Sequence, residues 1–428
     1  MDPGKNTSNA TGNWTDPRLI KADMAVGEYC FPEMPEVSGI RLGTANAGIK
    51  QTERDDVLVV EMAANSACAA VFTNNAFCAA PVKLARENLK NSPGWLLVNS
   101  GNANAGTGQQ GVLDTKSTCE MLSSSVAGGD ACRVLPFSTG VIGESLPLNK
   151  LEKAIPVAVQ GLSDGTWENA ANAIMTTDTR PKGSTREFEI EGRRVVINGI
   201  AKGSGMIHPD MATMLSFIGT NANVEQETLS HCLPSAVEQS FNRISVDGDT
   251  STNDACVLMA TGAAGNRPIT VNSQGFEFFR KMLQEVCAEL AELIIRDGEG
   301  ATKLLRIVVQ QALSEKEALT VAQTIASSPL VKTAVFASDP NWGRILAAIG
   351  RSGLKSFDID RVVLWLGDVL LVCNGGVAPE YCEEKAQRVM DRDDITIRVL
   401  LGRGSASQTF LSCDFSYDYV RINADYRT

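Results

Sequence analysis

The sequence predicts an α+β protein built of packed layers, and three observations support this fold class. The sequence contains segments with the helical spacing of apolar residues, and it contains short apolar runs typical of buried strands. The two kinds of segment do not alternate strictly, as they would in a doubly wound sheet. No internal repeat of fixed period is present. The chain has 428 residues, whereas an ordinary domain has roughly 100 to 200, so we expect more than one folded unit.

The predicted elements begin after a polar, turn-rich segment, residues 1–38, which we interpret as a mobile extension. Apolar runs bounded by turn residues predict these strands: Val57–Val60, Trp95–Val98, Arg194–Ile200, Thr213–Ile218, Ile307–Gln310, Arg361–Val372, Ile395–Leu401 and Ser412–Asn423. Helical spacing of apolar residues predicts these helices: Asp114–Val126, Leu148–Leu162, Glu225–Phe241, Phe276–Ile295 and Ser314–Ser327. We therefore expect the last hundred residues to be rich in strands.

Charge and composition argue against several classes of function. The chain has 39 Lys and Arg against 50 Asp and Glu, a net charge of −11, so no basic field is available to bind nucleic acid or an anionic membrane. No segment reaches the roughly 18 to 20 uninterrupted apolar residues of a membrane span. The first residues resemble neither a secretory signal nor a mitochondrial transit peptide. We expect a cytoplasmic protein without nucleic-acid or membrane partners.

The cysteines and histidines limit the chemistry. Eleven cysteines lie singly, without a C-x-x-C pair, a pattern typical of reduced thiols in a cytosol. With His208 and His231 as the only histidines, a histidine-built metal site is not expected. A Ser-His-Asp triad is disfavoured because only these two histidines could supply its base. We expect no metal and no cofactor, and a nucleophile that is activated in another way.

The segment Lys202–Leu215 contains a candidate for such a nucleophile. Two glycines and a proline precede Thr213, and a loop of this kind can hold strained backbone. If the Ala212 carbonyl meets the Thr213 hydroxyl, an acyl shift followed by hydrolysis would cut the chain and expose the α-amino group of Thr213. Because an α-amino group has a pKa of about 7.7 to 8.0, it can accept the threonine proton. An ordinary glycine-rich turn between two strands is the alternative.

Three other segments concentrate small polar groups. Pro136–Gly143 ends a predicted strand with hydroxyls and glycines, which suit either an oxyanion hole or a turn. Met175–Thr179 and Val246–Asp254 follow apolar runs, and each is compatible with a small polar ligand or with a solvated loop. His208 could tune the loop by its titration or only fill the turn. His231 is expected to be structural or exposed.

Taken together, these segments resemble the ornithine acetyltransferase family, the bifunctional glutamate N-acetyltransferases of arginine biosynthesis. The similar segments occur in the family's order: Ser100–Gly106, Ser138–Gly143, Thr176–Thr179, Lys202–Leu215, Asp247–Asn253, Asp297–Lys303, Asp339–Arg344 and Tyr417–Thr428. The resemblance extends from about Gly39 to Thr428. The predicted extension has no counterpart in it.

The resemblance implies a self-cleaved precursor that gives chains 1–212 and 213–428. Cleavage would fall between Ala212 and Thr213, and Thr213 would be the nucleophile of a ping-pong transfer from N2-acetylornithine to L-glutamate. Thr139 and Gly140 match the oxyanion-hole pair. The substrate-binding positions are matched by Thr176, Lys202, Thr213, Glu299, Asn423 and Thr428. Cations and hydroxyls suit an α-carboxylate, and a carboxylate suits an amine.

The resemblance also implies an architecture, a layered α/β sandwich like that of the self-processing β-aminopeptidases. The main catalytic α/β domain would span residues 39–300, and a smaller C-terminal region, residues 301–428, would return its tail to the active site. Apolar alternation from Phe415 to Ile422 suggests that a strand holds this tail. The family further implies an assembly of two α and two β chains, with acetyl-CoA as a second candidate donor.

Two other functions remain open from the sequence. A self-processing aminopeptidase or amidohydrolase would use the same kind of nucleophile, but it would not be expected to combine Lys202, Glu299 and a terminal Asn-x-x-x-x-Thr. An uncut binding protein for acetylated amino acids is the third possibility, and failure to find any cut would favour it.

Overall fold

The computed structural model describes residues 26–50, 53–163, 165–208 and 214–425. Its strands are β1 Ile40–Ala45, β2 Val57–Met62, β3 Ala67–Phe72, β4 Trp95–Asn102, β5 Val134–Val141, β6 Lys182–Ile190, β7 Arg193–Lys202, β8 Leu215–Thr220, β9 Ile244–Ser245, β10 Ala255–Ala260, β11 Leu304–Ala312, β12 Val363–Leu366, β13 Val369–Cys373, β14 Gly376–Val377, β15 Asp394–Leu400 and β16 Ala406–Cys413. Its α-helices are α1 Ala80–Asn88, α2 Gly108–Ser125, α3 Leu148–Gln160, α4 Trp167–Ala173, α5 Gln226–Glu238, α6 Phe276–Arg296, α7 Glu315–Ala326, α8 Pro329–Phe336, α9 Trp342–Gly350, α10 Glu383–Met390 and α11 Tyr417–Ala424. None of these helices could cross a membrane.

Two of the sheets pack face to face. One has the order β1-β2-β4-β5, and the other has the order β3-β10-β8-β7-β6. Apolar side chains from both sheets share one core, in which the rings of Phe137 and Phe217 meet edge to face with centroids 5.2 Å apart. Helices α2 and α3 cover the outer face of the first sheet, and α5 and α6 cover that of the second. The result is a four-layer α/β/β/α sandwich, which confirms the predicted fold class.

The layers explain why the strands look like continuous apolar runs. Along β2, Val57 and Val59 pack beneath the helices, whereas Leu58 and Val60 point toward the second sheet. Successive side chains of a strand point to opposite faces, so a strand between two apolar layers has no polar face. All four of these side chains are fully buried.

The third sheet has seven strands in the order β14-β13-β12-β15-β11-β16-β9. Six of its strands follow residue 303, and the seventh, β9, comes from the middle of the chain and pairs in parallel with Leu411 and Ser412 of β16. Helices α7, α9 and α10 cover this sheet with a separate apolar core. Residues 246–254 form the loop that follows β9, so β9 joins this loop to the C-terminal sheet.

Two of the strand predictions are wrong. The segment Arg361–Val372 is not one strand but a hairpin, with Gly367 at its turn in a left-handed conformation, φ +58°. The predicted strand Ser412–Asn423 stops at Cys413, and α11 follows because the Ser416 side chain accepts hydrogen bonds from the amides of Asp418 and Tyr419 at the helix start. The last hundred residues also contain α8, α9 and α10, which the sequence analysis missed.

The other predicted elements are confirmed, with ends shifted by a few residues. The predicted strand from Thr213 begins within the described residues at Leu215, and Thr213 itself lies outside them. Residues 1–25 of the predicted extension also lie outside them. Residues 26–38 pack against the sandwich: Val37 is buried, and Asn198 Nδ2 donates to the Pro35 carbonyl over 2.6 Å. For this part, the prediction of a mobile extension is wrong.

Candidate active site

A cavity of about 280 Å³ brings together most of the predicted site residues. Its lining includes Thr139, Gly140, Thr176, Lys202, Glu299 and Asn423, which come from five separate parts of the chain. Ala212, Thr213 and Thr428 lie outside the described residues. Ser251, Thr252 and Asn253 of the polar segment Val246–Asp254 complete one wall. The joint placement of these motifs is what the resemblance implied.

The end of β5 presents a hydroxyl and a glycine to the cavity. Gly140 has φ +133°, and a Cβ atom there would lie 2.3 Å from the carbonyl carbon of Gly101 on the neighbouring strand β4. Only glycine fits this close approach of two strands. The Thr139 hydroxyl accepts a hydrogen bond from Lys202 Nζ over 3.3 Å, so its own proton can be donated into the cavity. Such a donor can stabilise an oxyanion.

Lys202 is the last residue of β7 and is buried. Burial lowers the pKa of its ammonium group, and the nearby Asp178 carboxylate, 4.0 Å away, opposes this effect. Asp178 also accepts hydrogen bonds from the amides of Thr176 and Gly203, over 2.9 and 2.6 Å. One carboxylate therefore orients both the backbone of Thr176 and the loop that follows Lys202.

A second lysine, Lys182, completes this buried charge cluster. Its Nζ atom lies 2.7 Å from Asp178 and 2.5 Å from Asp297, and all three side chains are inaccessible to solvent. Burial alone would lower the pKa of Lys182, but the two carboxylates raise it. Burial alone would raise the pKa of Asp178, but Lys182 and Lys202 hold it below its usual value. Asp297 also accepts from the Thr179 amide over 3.1 Å, so the cluster joins two of the motifs.

Glu299 and Asn423 also line the cavity. Asn423 Nδ2 donates to Glu299 Oε2 over 2.8 Å. Gly205 leaves room for this carboxylate, because a Cβ atom there would lie 2.4 Å from its carbon. Burial raises the pKa of Glu299, while the hydrogen bond from Asn423 and the Lys202 charge lower it. Because Lys202 and Glu299 both line it, the cavity is complementary to a ligand that carries both a carboxylate and an amine.

Asp254 holds the residue that follows the candidate nucleophile. Its Oδ1 atom accepts from the Met214 amide over 3.0 Å, and the Met214 carbonyl accepts from the Ala255 amide over 3.1 Å. Oδ2 is buried, and no hydrogen-bond partner for it occurs among the described residues. Burial raises the pKa of Asp254 well above its usual value. Sequence reasoning missed this residue, although it ends the polar segment Val246–Asp254.

Asp247 holds the chain directly before residues 208–213, which contain the predicted cut and which we call the cleavage loop. Its carboxylate accepts from the amides of Met206 and Ile207 over 2.5 and 2.9 Å, and Met206 has a left-handed conformation, φ +58°. His208 follows, with its Nδ1 atom 3.4 Å from the Ser245 hydroxyl, so its ring lies against β9. His231 is exposed on α5, as expected. Within the described ranges, no group of three or more His, Cys, Asp or Glu side chains could hold a metal ion.

Comparison with known proteins supports the resemblance. Residues 41–428 match the ArgJ family. The arginine biosynthesis bifunctional protein ArgJ of Methylococcus capsulatus is 60% identical over 392 residues, which are 92% of this chain and 96% of that protein. The protein of the same name from Pseudomonas fluorescens is 49% identical over 408 residues, 95% of this chain and 100% of that protein.

Among solved structures, the crystal structure of the arginine biosynthesis bifunctional protein ArgJ from Bacillus halodurans is 42% identical to this chain. The match covers 50% of this chain and 100% of that chain, with a TM-score of 0.48. The family match over residues 41–428 and the 60% identity along almost the whole length decide the assignment. This chain belongs to the ArgJ family.

Proposed function

We propose that this protein is an acyltransferase that moves the acetyl group of N2-acetylornithine to L-glutamate, which gives ornithine and N-acetylglutamate. One observation carries the proposal. A single cavity holds a buried ammonium group, a buried carboxylate and a hydroxyl donor beside a close glycine, and its lining includes Gly205 and Met206 of the segment that leads to the predicted cut. Arginine biosynthesis, which is part of the names of both curated relatives, is consistent with these substrates.

Both substrates carry the groups that the cavity can recognise. Each has an α-carboxylate, which Lys202 and the Thr176 hydroxyl would bind. Ornithine carries an amine in its side chain, and Glu299, held by Asn423, is the carboxylate available for it. A neutral apolar amide would displace water from Lys202 and Glu299 without offering either of them a polar group of its own, which costs free energy. The pair therefore favours amino-acid substrates.

The transfer would proceed in two steps. The α-amino group of Thr213 takes the proton of the Thr213 hydroxyl as its oxygen attacks the acetyl carbon, and Thr139 with the Gly140 amide stabilises the oxyanion. The C–N bond then breaks, the ornithine nitrogen takes this proton back from the Thr213 α-amino group, and an acetyl ester remains on Thr213. The amine of L-glutamate attacks the ester carbonyl and gives a proton to the same α-amino group, the C–O bond to Thr213 breaks, and the Thr213 oxygen takes that proton, which restores the hydroxyl and releases N-acetylglutamate.

Cleavage between Ala212 and Thr213 must precede this chemistry, because the α-amino group of Thr213 is otherwise part of a peptide bond. We expect fragments of 212 and 428 − 212 = 216 residues on a denaturing gel. Thr213→Ala should remain uncut and inactive, whereas Thr213→Ser keeps a hydroxyl and an amine and should retain slow activity. A wild type that stays in one band after long incubation, or a Thr213→Ala variant that turns over substrate, would contradict the proposal.

We propose acetyl-CoA as a second acetyl donor to be tested, and we propose that the enzyme needs no cofactor. Purified protein is given L-glutamate with either N2-acetylornithine or acetyl-CoA, and N-acetylglutamate is measured in each case. Acetate release that does not depend on L-glutamate would indicate the hydrolase instead. Binding of N2-acetylornithine without turnover by an uncut chain would indicate the binding protein.

We further propose a cytoplasmic protein that assembles as two α and two β chains. The eleven cysteines are free, which suits a reducing compartment. The assembly rests on the family resemblance. Its mass in solution, measured by light scattering, tests it.

A further inference from the structure

The C-terminal helix α11 is held in place mainly by polar contacts. None of its residues is fully buried. At its start, the Ser416 hydroxyl donates to the Gly300 carbonyl over 2.6 Å. In its middle, the Tyr419 hydroxyl donates to Asp247 Oδ2 over 3.2 Å, and near its end Asn423 donates to Glu299. Because no side chain of the helix is fully buried, these hydrogen bonds help to decide where it lies, beside the packing of the Tyr419 ring against the core.

Asp247 has two sets of partners on different parts of the chain. Besides the Tyr419 hydroxyl, its carboxylate accepts the amides of Met206 and Ile207, directly before the cleavage loop. Burial raises the pKa of Tyr419, and the Asp247 charge raises it further, so the phenol remains a donor at neutral pH. Burial also raises the pKa of Asp247, but hydrogen bonds from the amides of Met206, Asp249 and Ile207 oppose this effect.

Tyr419 and Asn423 belong to successive turns of one helix. Asn423 Nδ2 also donates to the Tyr419 carbonyl over 3.0 Å, so a shift of Tyr419 moves Asn423 with it. On its other side, the Tyr419 ring packs against Phe415 with centroids 4.3 Å apart. A phenylalanine in place of Tyr419 would keep this ring contact and lose only the bond to Asp247.

We propose that Tyr419 is a positioning residue for substrate binding, and that Asp247 is an anchor shared between the C-terminal helix and the loop before the cleavage point. Through this pair, the placement of Asn423 over the cavity depends on the placement of Met206 and Ile207. The proposal rests on the proposed function, in which Asn423 binds substrate. It adds two residues that contact the cavity only through others.

Tyr419→Phe is the direct test, and Tyr417→Phe is its matched control. Tyr417 lies on the same helix, is 73% exposed and contacts the Phe336 ring edge to face. We expect Tyr419→Phe to be cut as the wild type is. Its KM for N2-acetylornithine should rise about tenfold, as expected for the loss of a hydrogen bond to a charged group, with kcat little changed. Tyr417→Phe should match the wild type in cleavage, KM and kcat.

Asp247→Asn tests the shared anchor. The side-chain amide of this variant has one acceptor oxygen, whereas the Asp247 carboxylate has two. We therefore expect slower cleavage together with a KM raised as in Tyr419→Phe. In the double variant, the rise in KM should be smaller than the product of the two single effects, because both changes break the same bond. Normal cleavage of Asp247→Asn, or independent effects on KM, would overturn the shared anchor.

Asn423→Ala separates a failure of this inference from a failure of the proposed function. If Asn423→Ala raises KM and Tyr419→Phe does not, the positioning role of Tyr419 is wrong while the substrate site stands. If both variants keep the wild-type KM, the assignment of Asn423 to the substrate site is wrong, and the inference falls with it. Because Tyr419→Phe removes a single oxygen atom, its kinetics can be read even if Asp247→Asn does not fold.

Discussion

Lys202 must stay charged in a buried site, and Asp178 is the nearest carboxylate that favours its charge. Burial lowers the pKa of Lys202; Asp178, Glu299 and Asp254 raise it, and Lys182 lowers it. Burial lowers the pKa of the neighbouring Lys50, and the charges of Arg54 and Lys202 lower it further. Because the charged form binds a carboxylate, binding should be lost as the pH rises through the pKa of Lys202.

Asp178→Asn should therefore move this loss of binding to lower pH. The variant removes the main group that raises the pKa of Lys202, so the KM for L-glutamate should begin to rise at a lower pH than in the wild type. The measurement is KM against pH across the neutral and alkaline range. Glu187→Gln, which alters an exposed ion pair with Arg194, is the control and should keep the wild-type profile. An unshifted profile for Asp178→Asn would contradict the coupling.

Thr139→Ala should mainly reduce turnover. The loss of one oxyanion donor typically costs about 2.7 to 4 kcal/mol, a hundred- to a thousandfold in kcat. The same hydroxyl accepts from Lys202, so a smaller rise in KM is also expected. Thr139→Ser keeps the hydroxyl and should recover most of the turnover. Steady-state kinetics of the two variants decide the matter, and an unchanged kcat with a raised KM would assign Thr139 to substrate holding instead.

The candidate site was predictable where its residues lie in recognisable motifs, as Thr139 and Lys202 do. The charged residues that support the site from outside the cavity were not predictable in this way. Lys182 is fully buried between Asp178 and Asp297, a partner 115 residues away, and nothing in the local sequence marks a lysine as buried. Asp254 was missed for a related reason, since its importance comes from its contact with Met214, 40 residues away.

The importance of the position of α11 can be tested by a substitution outside the helix, at Gly300. Gly300 has φ +68°, and a Cβ atom there would lie 2.5 Å from the Tyr419 backbone nitrogen. Gly300→Ala should therefore displace α11 and raise the KM for N2-acetylornithine several-fold, because Asn423 would lose its alignment with Glu299. Steady-state kinetics and the melting temperature measure the two effects.

The matched control for this change is Gly353→Ala. Gly353 has φ +78°, and a Cβ atom there would have no neighbouring atom within 4 Å. Alanine at this position therefore carries the backbone strain, roughly 1–2 kcal/mol, without the contact. Both variants should lose a similar amount of stability from strain, but only Gly300→Ala should change KM. Equal KM values in the two variants would show that the helix does not depend on this contact.

Inside the sandwich, β2, β4, β7 and β8 were predicted because they are apolar runs with both faces buried, whereas β1, β3, β6 and β10 were missed. The C-terminal tail was misassigned because alternating aromatic residues resembled a strand. In the structure, Tyr417 is exposed and Tyr419 is half-buried on one helix. The informative signal was Ser416 followed by Asp418, a helix cap with an acidic first turn. Ser328 before Pro329 marks the start of α8 in the same way.

At the scale of the whole molecule, the predicted cut would leave two interleaved chains. In the second sheet, β8 and β10 follow the cut, while β3, β6 and β7 precede it and flank them on both sides. Six residue pairs join β7 to β8, and six join β10 to β3. The layers could be predicted from the sequence, but this pairing could not, because β3 and β10 lie far apart in the chain.

The two fragments should therefore stay together after cleavage. We expect them to elute as one species in size-exclusion chromatography under native conditions, and to separate only in denaturant, where a gel resolves them. Uncut Thr213→Ala should elute at the same volume. Separation of the wild-type fragments in native buffer would contradict this, because each would expose the ladder of an unpaired sheet edge.

The pairing of β7 with β8 across the cleavage loop also means that refolding of this enzyme differs before and after the cut. Before the cut, a short connection keeps the two strands at high effective concentration, and refolding is unimolecular. Afterwards, a denatured molecule must find a partner fragment, so recovery slows in proportion to dilution and competes with aggregation. For the mature enzyme, lifetime is then set by the rate of unfolding and not by an equilibrium free energy. Maturation would act as a one-way step, in which activity is gained and the capacity for independent repair is lost.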